Sequence, residues 1–417
     1  MNIAVIGSGI SGLTCAYLLQ QHHKVSVFEK AKRIGGHTAT VDVAYKGEQY
    51  SIDTGFIVYN DWTYPNFIKL LGRLGVDNIA TEMSFSVSCK HSGLEYGGSN
   101  LNTLFAQRSN FFNLGFINML RNILRFNREA IADLDSGNLE ATLTLGEYLQ
   151  GRGYSKLFIS HYLIPMGSAI WSSTLQEMLD FPLVFFVRFF KNHGLLSVTD
   201  RPQWRVIRGG SNSYLGPLTE SLTGSIAVGV DIEKVVRQDD GVKLVFTDGS
   251  EQAFDQVVFA CHSDQALSLL ADPSDDEKDI LGAIPYRENK VVLHTDIDLL
   301  PRAKGAWSAW NYHLDEDKSK PATLSYNMNI LQGIEAEDTF VVSLNAGGRI
   351  KQDSILGEYH YAHPVFTLEG MLAQQRWQDI NGVRRSWFCG AYWRNGFHED
   401  GCTSGIRVAT ALGATWQ

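Results

Sequence analysis

The chain has 417 residues, of which 44% are hydrophobic and 11% aromatic, so two or three domains with large cores can form. Its net charge of −9 argues against a nucleic-acid partner. The five cysteines are widely spaced without a C-x-x-C pair, which predicts neither a disulfide framework nor a metal site. No uncharged run reaches the roughly 18 residues of a membrane span, and the first apolar run reads as a strand rather than a signal peptide. We therefore expect a cytoplasmic protein.

The N-terminal residues have the pattern of a strand, a glycine turn, a helix and a second strand. An apolar run at residues 3–6 leads into Gly7-Ser8-Gly9-Ile10-Ser11-Gly12, and Glu29 closes the next apolar run at residues 25–28. The three glycines allow a tight turn, close approach of a pyrophosphate, and packing of the helix on the strand. The N terminus of the helix attracts phosphates, and Glu29 is placed to bind ribose hydroxyls. This unit predicts that residues 7–12 and Glu29 bind a dinucleotide.

The motifs that follow indicate which dinucleotide is bound. Arg33-Ile34-Gly35-Gly36 is an Arg-x-Gly-Gly motif, and Asp53-Thr54-Gly55 is an Asp-x-Gly motif. Both resemble motifs of flavoproteins of the amine oxidase and phytoene desaturase type. In those proteins the first motif follows the ribose-binding acid and its glycines let the chain pass close to the FAD diphosphate, while the second motif runs beside the isoalloxazine ring. The resemblance implies FAD, which we expect to be noncovalent. It places against FAD the residues Lys30, Arg33, Gly35, Gly36, His37, Thr38, Gly55, Phe56 and Ile57.

Two later segments extend this resemblance. Strand-like runs at 226–228, 231–236, 241–246 and 256–260 include the ribbon that contacts adenine in amine oxidases, which implies cofactor contacts at Ile232 and Ala260. Near the C-terminal end, Gly390-Ala391 and Gly401-Cys402-Thr403 resemble the closing FAD motif, whose helix points its N terminus at the pyrimidine end of the flavin. Two details depart from the family pattern. Ala391 stands where an acid usually binds the ribityl chain, and the closing glycine motif is one residue shorter.

The order of these motifs predicts a discontinuous domain in an α/β fold. Because the motifs lie at both ends and in the middle of the chain, residues 1–75, 201–270 and 385–417 are predicted to form a Rossmann-like FAD-binding domain of the amine oxidase type. Residues 76–200 and 271–384 are predicted to form an inserted α+β substrate domain. A second strand–G-x-G-x-x-G–helix unit is absent from the sequence, so a separate NAD(P)H domain is not expected.

Three short sequence segments narrow the resemblance to one group of proteins. Residues 53–60, 260–267 and 396–401 resemble a bacterial group of predicted NAD/FAD-binding proteins. That group is similar to the flavoprotein-like N-terminal part of plant cyclopropane-fatty-acid synthases, and its genes tend to lie near methyltransferases of the cyclopropane-fatty-acid synthase type. The resemblance implies an acyl-lipid setting and a fatty-acid methyltransferase as a partner.

Two apolar stretches of the first insertion allow two interpretations. Residues 110–130 have apolar residues at helical spacing, with Arg121, Arg125 and Arg128 on or near one face, and residues 181–190 contain five phenylalanines. Most of these side chains are expected to form the core of the substrate domain. Alternatively, the stretches 110–130 and 181–196 line an acyl tunnel above the flavin, and the arginines contact the inner face of a membrane.

The predicted chemistry requires no protein nucleophile, because flavin chemistry needs a donor held over N5 in a dry pocket. His398 and Glu399 lie where the last helix should meet the flavin, so substrate positioning or proton transfer is one interpretation of His398 and a structural hydrogen bond is the other. Lys290 begins a predicted strand where many amine oxidases carry a lysine aimed at N5. These three are the candidate catalytic residues. The substrate pocket is predicted at Tyr392, Trp393 and Phe397.

Together these features predict an FAD-dependent oxidoreductase that takes hydride from an apolar small molecule or a fatty acyl chain of a phospholipid, giving desaturation or oxidation. Oxygen or a quinone-like carrier would then reoxidise the flavin. Two alternatives remain open from the sequence. The first is an amine oxidase for a small amine, which would use an aromatic cage, and the second is a non-catalytic flavoprotein that supports a methyltransferase.

Overall fold

The computed structural model describes residues 1–137, 139–171, 173–220, 222–314 and 323–416. Numbered in chain order, its strands are β1 (Asn2–Ile6), β2 (Lys24–Glu29), β3 (Thr40–Tyr45), β4 (Glu48–Asp53), β5 (Tyr59–Asn60), β6 (Asn78–Thr81), β7 (Phe85–Cys89), β8 (Glu95–Gly97), β9 (Trp204–Ile207), β10 (Ile226–Val228), β11 (Ile232–Arg237), β12 (Val242–Phe246), β13 (Glu251–Phe254), β14 (Gln256–Phe259), β15 (Tyr286–His294), β16 (Trp310–Leu314), β17 (Thr323–Asn327), β18 (Val341–Leu344), β19 (Ile355–Pro364) and β20 (Ser386–Phe388).

The α-helices alternate with these strands and also form a cluster of their own between β8 and β9. They are α1 (Ile10–Leu19), α2 (Pro65–Leu74), α3 (Leu101–Leu104), α4 (Leu114–Asp135), α5 (Leu145–Gly151), α6 (Lys156–Phe158), α7 (Ile164–Trp171), α8 (Leu175–Leu179), α9 (Leu183–Asn192), α10 (Leu215–Glu220), α11 (Ser263–Leu269), α12 (Asp275–Gly282), α13 (Met328–Gln332), α14 (Leu368–Gln375), α15 (Trp377–Ile380) and α16 (His398–Ala411).

A parallel sheet joins strands from distant parts of the chain in the order β10-β2-β1-β14-β20. Ile3, Ala4 and Val5 of β1 are fully buried, as expected for a parallel strand covered on both faces. Helices α1 and α16 pack together, while Phe28 of β2 contacts Phe246 of the antiparallel ribbon β11-β12-β13. The structure confirms the α/β Rossmann-like fold and the strands predicted at 226–228, 231–236, 241–246 and 256–260.

A second, mixed sheet has the order β19-β15-β18-β17-β16-β7-β8. Its strands come from both inserted segments, because β7 pairs in parallel with β16. The apolar cluster beneath it includes Val291, Leu293 and Val342, each almost fully buried. This sheet faces the cofactor-binding half of the protein and supplies one wall of the cavity described below.

Helices α3 to α9 form a layer with its own core. Phe126 of α4 packs near Phe158 and Phe186, and Phe186 stacks on Phe190 at 4.0 Å between ring centroids. Both predicted apolar stretches therefore form helices, and most of their large side chains are core residues. Among the described residues, no helix is long and apolar enough to cross a membrane.

Candidate functional site

A continuous cavity of about 860 Å³ runs from the parallel sheet to the mixed sheet. Its nucleotide end is formed where β1 and β2 meet the ribbon, as expected for ligands at the carboxyl edge of a parallel sheet. Its opposite end lies against α7 and the mixed sheet. The predicted cofactor residues that line it are Gly7, Ser8, Gly9, Ile10, Ser11, Glu29, Lys30, Arg33, Gly35, Gly36, His37, Gly55, Phe56, Ile57, Ile232, Ala260, Gly390 and Ala391.

The glycines of the turn have two different roles: two of them are required by the packing of the protein itself, and one leaves space for a ligand. A Cβ on Gly12 would lie 2.0 Å from the carbonyl oxygen of Gly7, and Gly7 itself has φ of +107°, so both residues are required by the protein's own backbone. Gly9 differs, because a Cβ there would meet no atom within 4 Å. Its space opens into the cavity at the start of α1, where the first N–H groups have no intrahelical acceptor. A helix N terminus with such a cradle fits a pyrophosphate.

Glu29 is fixed at the end of β2. Its carboxylate accepts hydrogen bonds from the Ser8 amide and hydroxyl at 2.9 and 2.6 Å, and from the Ala31 amide at 2.8 Å. Lys30 next to it pairs with Asp231 at 3.1 Å, which joins β2 to the ribbon that carries Ile232. The arrangement holds an acid at the nucleotide end of the cavity.

Arg33 stabilises the loop that contains the second glycine motif, Gly35-Gly36. Its guanidinium donates to the carbonyl oxygens of Gly36 at 2.8 Å and Thr38 at 3.1 Å. Gly36 thereby passes so close to Gly9 that its own Cβ would lie 3.2 Å from the Gly9 Cα. The positive charge of Arg33 and the start of α1 therefore face the same part of the cavity.

A group of neutral histidines lines the next part of the cavity. The His37 ring lies 5.3 Å from His363 and 5.9 Å from His262, and His262 stacks on Tyr286 at 4.4 Å. Burial lowers the pKa of His37 to about 4, with a further contribution from His262. Burial likewise lowers the pKa of His262 to about 4 and of His363 to about 3. These rings are polar but uncharged near neutral pH.

His398 is the first residue of α16 and lines the cavity. Its ring stacks on Phe56 at 3.7 Å, and its Nε2 is hydrogen-bonded to the Tyr214 hydroxyl at 2.9 Å. Tyr214 is in turn hydrogen-bonded to Thr38 at 2.6 Å. Burial lowers the pKa of His398 to about 3, so the ring is a neutral, fixed group at the cavity wall.

The structure corrects the other two predicted catalytic residues. Glu399 does not line the large cavity, because its carboxylate accepts hydrogen bonds from the backbone amides of Asn66 and Phe67 at the start of α2 and from the Thr403 hydroxyl. Lys290 forms an ion pair with Glu358 of the neighbouring strand at 2.8 Å, and both side chains are almost half exposed. Neither side chain lines the cavity, so the structure lends no support to a catalytic role for either residue.

The closing motif also needs correction. Cavity contacts of this segment come from residues 395–398 rather than from Gly401, Cys402 and Thr403. The thiol of Cys402 is buried and faces Thr14 of α1, and Thr403 bonds to Glu399. Gly12 and Thr38 lie behind the cavity wall, which they shape through backbone packing and the bond to Tyr214. The helix α16 begins earlier than the glycine motif suggests, and its first turn carries the contacts.

The end of the cavity against the mixed sheet is apolar. It is lined by Ala169, Ile170, Trp171, Val291, Trp310, Tyr326, Leu344 and Phe366. Among the predicted pocket residues, Tyr392 and Phe397 line the cavity, while Trp393 is buried behind Tyr392. Residues 110–130 and 181–196 contribute no lining residue, so the predicted tunnel toward these helices is wrong.

Sequence reasoning missed several of these residues. Trp171, Trp310, His363 and Tyr214 lie outside the recognised motifs and reach the site through tertiary packing. Tyr214 alone among them could have been suspected from the sequence, because it follows the glycine pair Gly209-Gly210 near the start of the predicted segment 201–270.

The fold and site define an FAD-binding oxidoreductase, and comparisons with known proteins agree. A sequence model of the family described as flavin containing amine oxidoreductase matches residues 10–317. Well over half of the chain is matched, so the protein belongs to this family and uses FAD. A search of curated proteins finds no match.

Solved structures of low sequence identity share the fold. The CLA-producing fatty acid isomerase from P. acnes has a TM-score of 0.69 and 15% identity, with 99% of this chain and 98% of that chain covered. Cyclohexylamine oxidase from Brevibacterium oxydans has a TM-score of 0.69 and 14% identity over the same shares. Putrescine oxidase in its putrescine-bound form has a TM-score of 0.68 and 14% identity, with 99% of each chain covered.

Proposed function

We propose that this FAD-dependent oxidoreductase oxidises an uncharged apolar substrate and that this substrate is a fatty acyl chain. Desaturation of the chain would transfer a hydride from one carbon to FAD and release a proton from the neighbouring carbon as the C=C bond forms. The observation that carries the proposal is the lining of the cavity beside α7 and the mixed sheet. The acidic residues among the cavity's described lining are Glu29 and Asp231 at the nucleotide end and Glu288, whose side chain is largely exposed. No carboxylate of the described lining is thus placed to bind a cationic amine at the apolar end.

Two indole groups strengthen this argument. Trp171 Nε1 and Trp310 Nε1 are buried without a hydrogen-bond partner, and both tryptophans line the apolar end. An unpaired buried donor costs about 1–3 kcal/mol. Because both nitrogens are buried beneath the cavity surface, a ligand oxygen would recover this cost only with a turn of the indole ring toward the cavity. An acyl carbonyl or carboxylate can accept from these N–H groups. A protonated amine can only donate, so these two N–H groups offer it no hydrogen bond.

The chain's own residues would hold FAD at the glycine turn, Glu29 and the Arg33 loop. When bound, FAD supplies a hydride acceptor. The role of the protein is to position the substrate in the apolar end and to exclude water there. His398, held by Tyr214 and Phe56, is a neutral positioning group at the cavity wall. We propose that FAD is noncovalent, because the Cys402 thiol is buried against Thr14.

Two resemblances support an acyl substrate. The fatty acid isomerase shares this fold, and the motif strings resemble proteins associated with cyclopropane-fatty-acid synthases. The same fold carries amine oxidases, which makes a small amine the principal rival. A non-catalytic role beside a fatty-acid methyltransferase is the second rival.

Anaerobic mixing of the holoprotein with substrates tests the proposal. Fatty acids or phospholipid vesicles should bleach the flavin absorbance, whereas putrescine and cyclohexylamine should not. Bleaching by amines alone would support the amine oxidase, and bleaching by neither class would support the non-catalytic flavoprotein. The double variant Trp171→Phe/Trp310→Phe should bind fatty acid about tenfold more weakly or worse.

A matched variant controls for the removal of an indole at a position outside the cavity. Trp307→Phe removes an indole whose Nε1 already donates to the Pro301 carbonyl at 2.7 Å, outside the cavity. It should leave fatty-acid binding and FAD content unchanged. Equal binding by the double variant and by wild type would refute the role of the two indoles.

A further inference from the structure

The outer surface of the helical layer carries an unusual group of exposed apolar side chains. Phe112 is 89% exposed, Leu114 83%, Leu101 74% and Phe111 51%. They lie on α3, on the short 3-10 turn Arg108–Phe112, and at the start of α4. Phe111 stacks on the buried Phe105 at 4.0 Å, so this turn is fixed to the core while its apolar side chains project from it.

The charged residues in this stretch of the sequence all have one sign. No aspartate or glutamate occurs from residue 96 to 128, although the whole chain has a net charge of −9. Arg108, Arg121 and Arg128 are exposed in this stretch, and none forms an ion pair with a residue that the structure describes. Arg125 is excluded from this set, because it pairs with Glu129 at 2.9 Å and lies over Tyr154.

The exposed positions of α4 follow one stripe. Leu114, Arg121 and Arg128 are seven residues apart, or about two helical turns, and Leu124 between them is 58% exposed. A helix with apolar and basic residues on its free face is suited to lie in the headgroup layer of a membrane. We call Leu101, Arg108, Phe111, Phe112, Leu114, Arg121, Leu124 and Arg128 the apolar–cationic patch.

We propose that the apolar–cationic patch docks the protein on a bilayer that contains anionic phospholipid. Phe112 and Leu114 enter the acyl boundary, and the three arginines contact phosphate groups. A second copy of this chain is a poorer occupant, because a two-fold interface would set the same surface against itself and bring like charges together. The proposal is independent of which substrate is oxidised, since docking requires no turnover.

Sedimentation of the FAD-loaded protein with vesicles tests the patch. Wild type should bind vesicles of mixed phosphatidylglycerol and phosphatidylethanolamine, and bind pure phosphatidylcholine much more weakly. Phe112→Ser/Leu114→Ser should lower the partition coefficient at least about tenfold, because two large apolar side chains no longer leave water. Arg108→Gln/Arg121→Gln/Arg128→Gln should remove the preference for the anionic vesicles, and added salt should reduce wild-type binding in the same direction.

The control is Val228→Ser/Leu372→Ser, which removes two exposed apolar side chains, 45% and 55% exposed, from other parts of the fold. It should bind vesicles as wild type does. Absence of wild-type binding, or equal loss in the patch variant and the control, would overturn the proposal. A wild-type dimer that becomes a monomer in Phe112→Ser/Leu114→Ser, without vesicle binding, would assign the patch to a second copy instead. FAD absorbance and flavin bleaching are measured on the same samples, so loss of activity is distinguishable from loss of docking.

Discussion

Replacing Gly9 by valine should abolish FAD binding while leaving the fold intact. The backbone at Gly9 has φ of −68° and ψ of 178°, an extended conformation that any residue can adopt. A Cβ there would meet no atom within 4 Å. The valine side chain would therefore fill space intended for the ligand and would not clash with the protein. The cost to folding should be about 1 kcal/mol or less, mainly from placing valine before the first turn of α1.

The effect on FAD should be much larger. A valine side chain at the start of α1 would keep the pyrophosphate from the first amide groups of the helix. Hydrogen bonds to charged groups contribute about 1.5–3 kcal/mol each. Loss of two such bonds weakens FAD binding by about two to four orders of magnitude.

Flavin fluorescence titration of apoprotein measures the affinity, and urea unfolding measures the stability. Gly72→Val is the control, because a Cβ on this residue of α2 would also meet no atom within 4 Å, and the residue lies outside the cavity. Gly12→Ala provides the opposite case, since its Cβ would lie 2.0 Å from the Gly7 oxygen and the protein should unfold or lose most of its stability. A folded Gly9→Val protein with wild-type affinity would refute the placement of the cofactor.

Three further predictions concern the residues around the cavity. The pKa of His398 is about 3 in the folded protein against an ordinary 6.5. As the pH falls from 6.5 toward 3, the unfolded protein takes up a proton at this residue and the folded protein does not, so the free energy of unfolding decreases. His398→Phe should therefore reduce the loss of apoprotein stability between about pH 8 and pH 5 by about 2 kcal/mol, measured by urea unfolding; an unchanged loss would contradict the neutral buried ring. Lys290→Met should leave anaerobic flavin reduction and aerobic reoxidation within about twofold of wild type, and a large change in stopped-flow rates would restore its catalytic role. Glu399→Gln should lower the free energy of unfolding by about 1–3 kcal/mol through the start of α2, with FAD stoichiometry unchanged; a stable variant that binds substrate poorly would argue for a site role.

The sequence predicted those parts of the site whose geometry is determined within one short motif. Gly7, Gly9 and Glu29 each serve a turn, a close approach or a strand end, so their spacing alone identifies the nucleotide end of the cavity. The same applies to Arg33, whose bonds to Gly36 and Thr38 stay within six residues of the chain. These contacts depend on short-range backbone geometry, which one sequence is able to reveal.

The apolar end could not be predicted in this way. Trp171 ends a helix of the first insertion, while Trp310 and Leu344 lie on separate strands of the mixed sheet. They meet because β17 pairs with both β16 and β18 and because α7 packs against β16, and no local pattern encodes these registers. Glu399 shows the converse error. Its position beside His398 suggested a catalytic role. Consecutive side chains of a helix, however, point about 100° apart, and the Glu399 side chain points toward α2.

The helical layer links the two proposals physically. Its inner face supplies Trp171, which packs on Phe181 at 4.7 Å within the same core as Phe116 and Phe126 of α4. Its outer face carries the apolar–cationic patch. Moving an acyl chain from a bilayer into water costs about 0.8 kcal/mol for each methylene, so an enzyme that used membrane acyl chains would gain from docking before the chain leaves the bilayer. A soluble amine imposes no such requirement. Docking through Phe112 and Leu114 would therefore suit an acyl substrate, and vesicle binding and flavin bleaching test the two proposals separately.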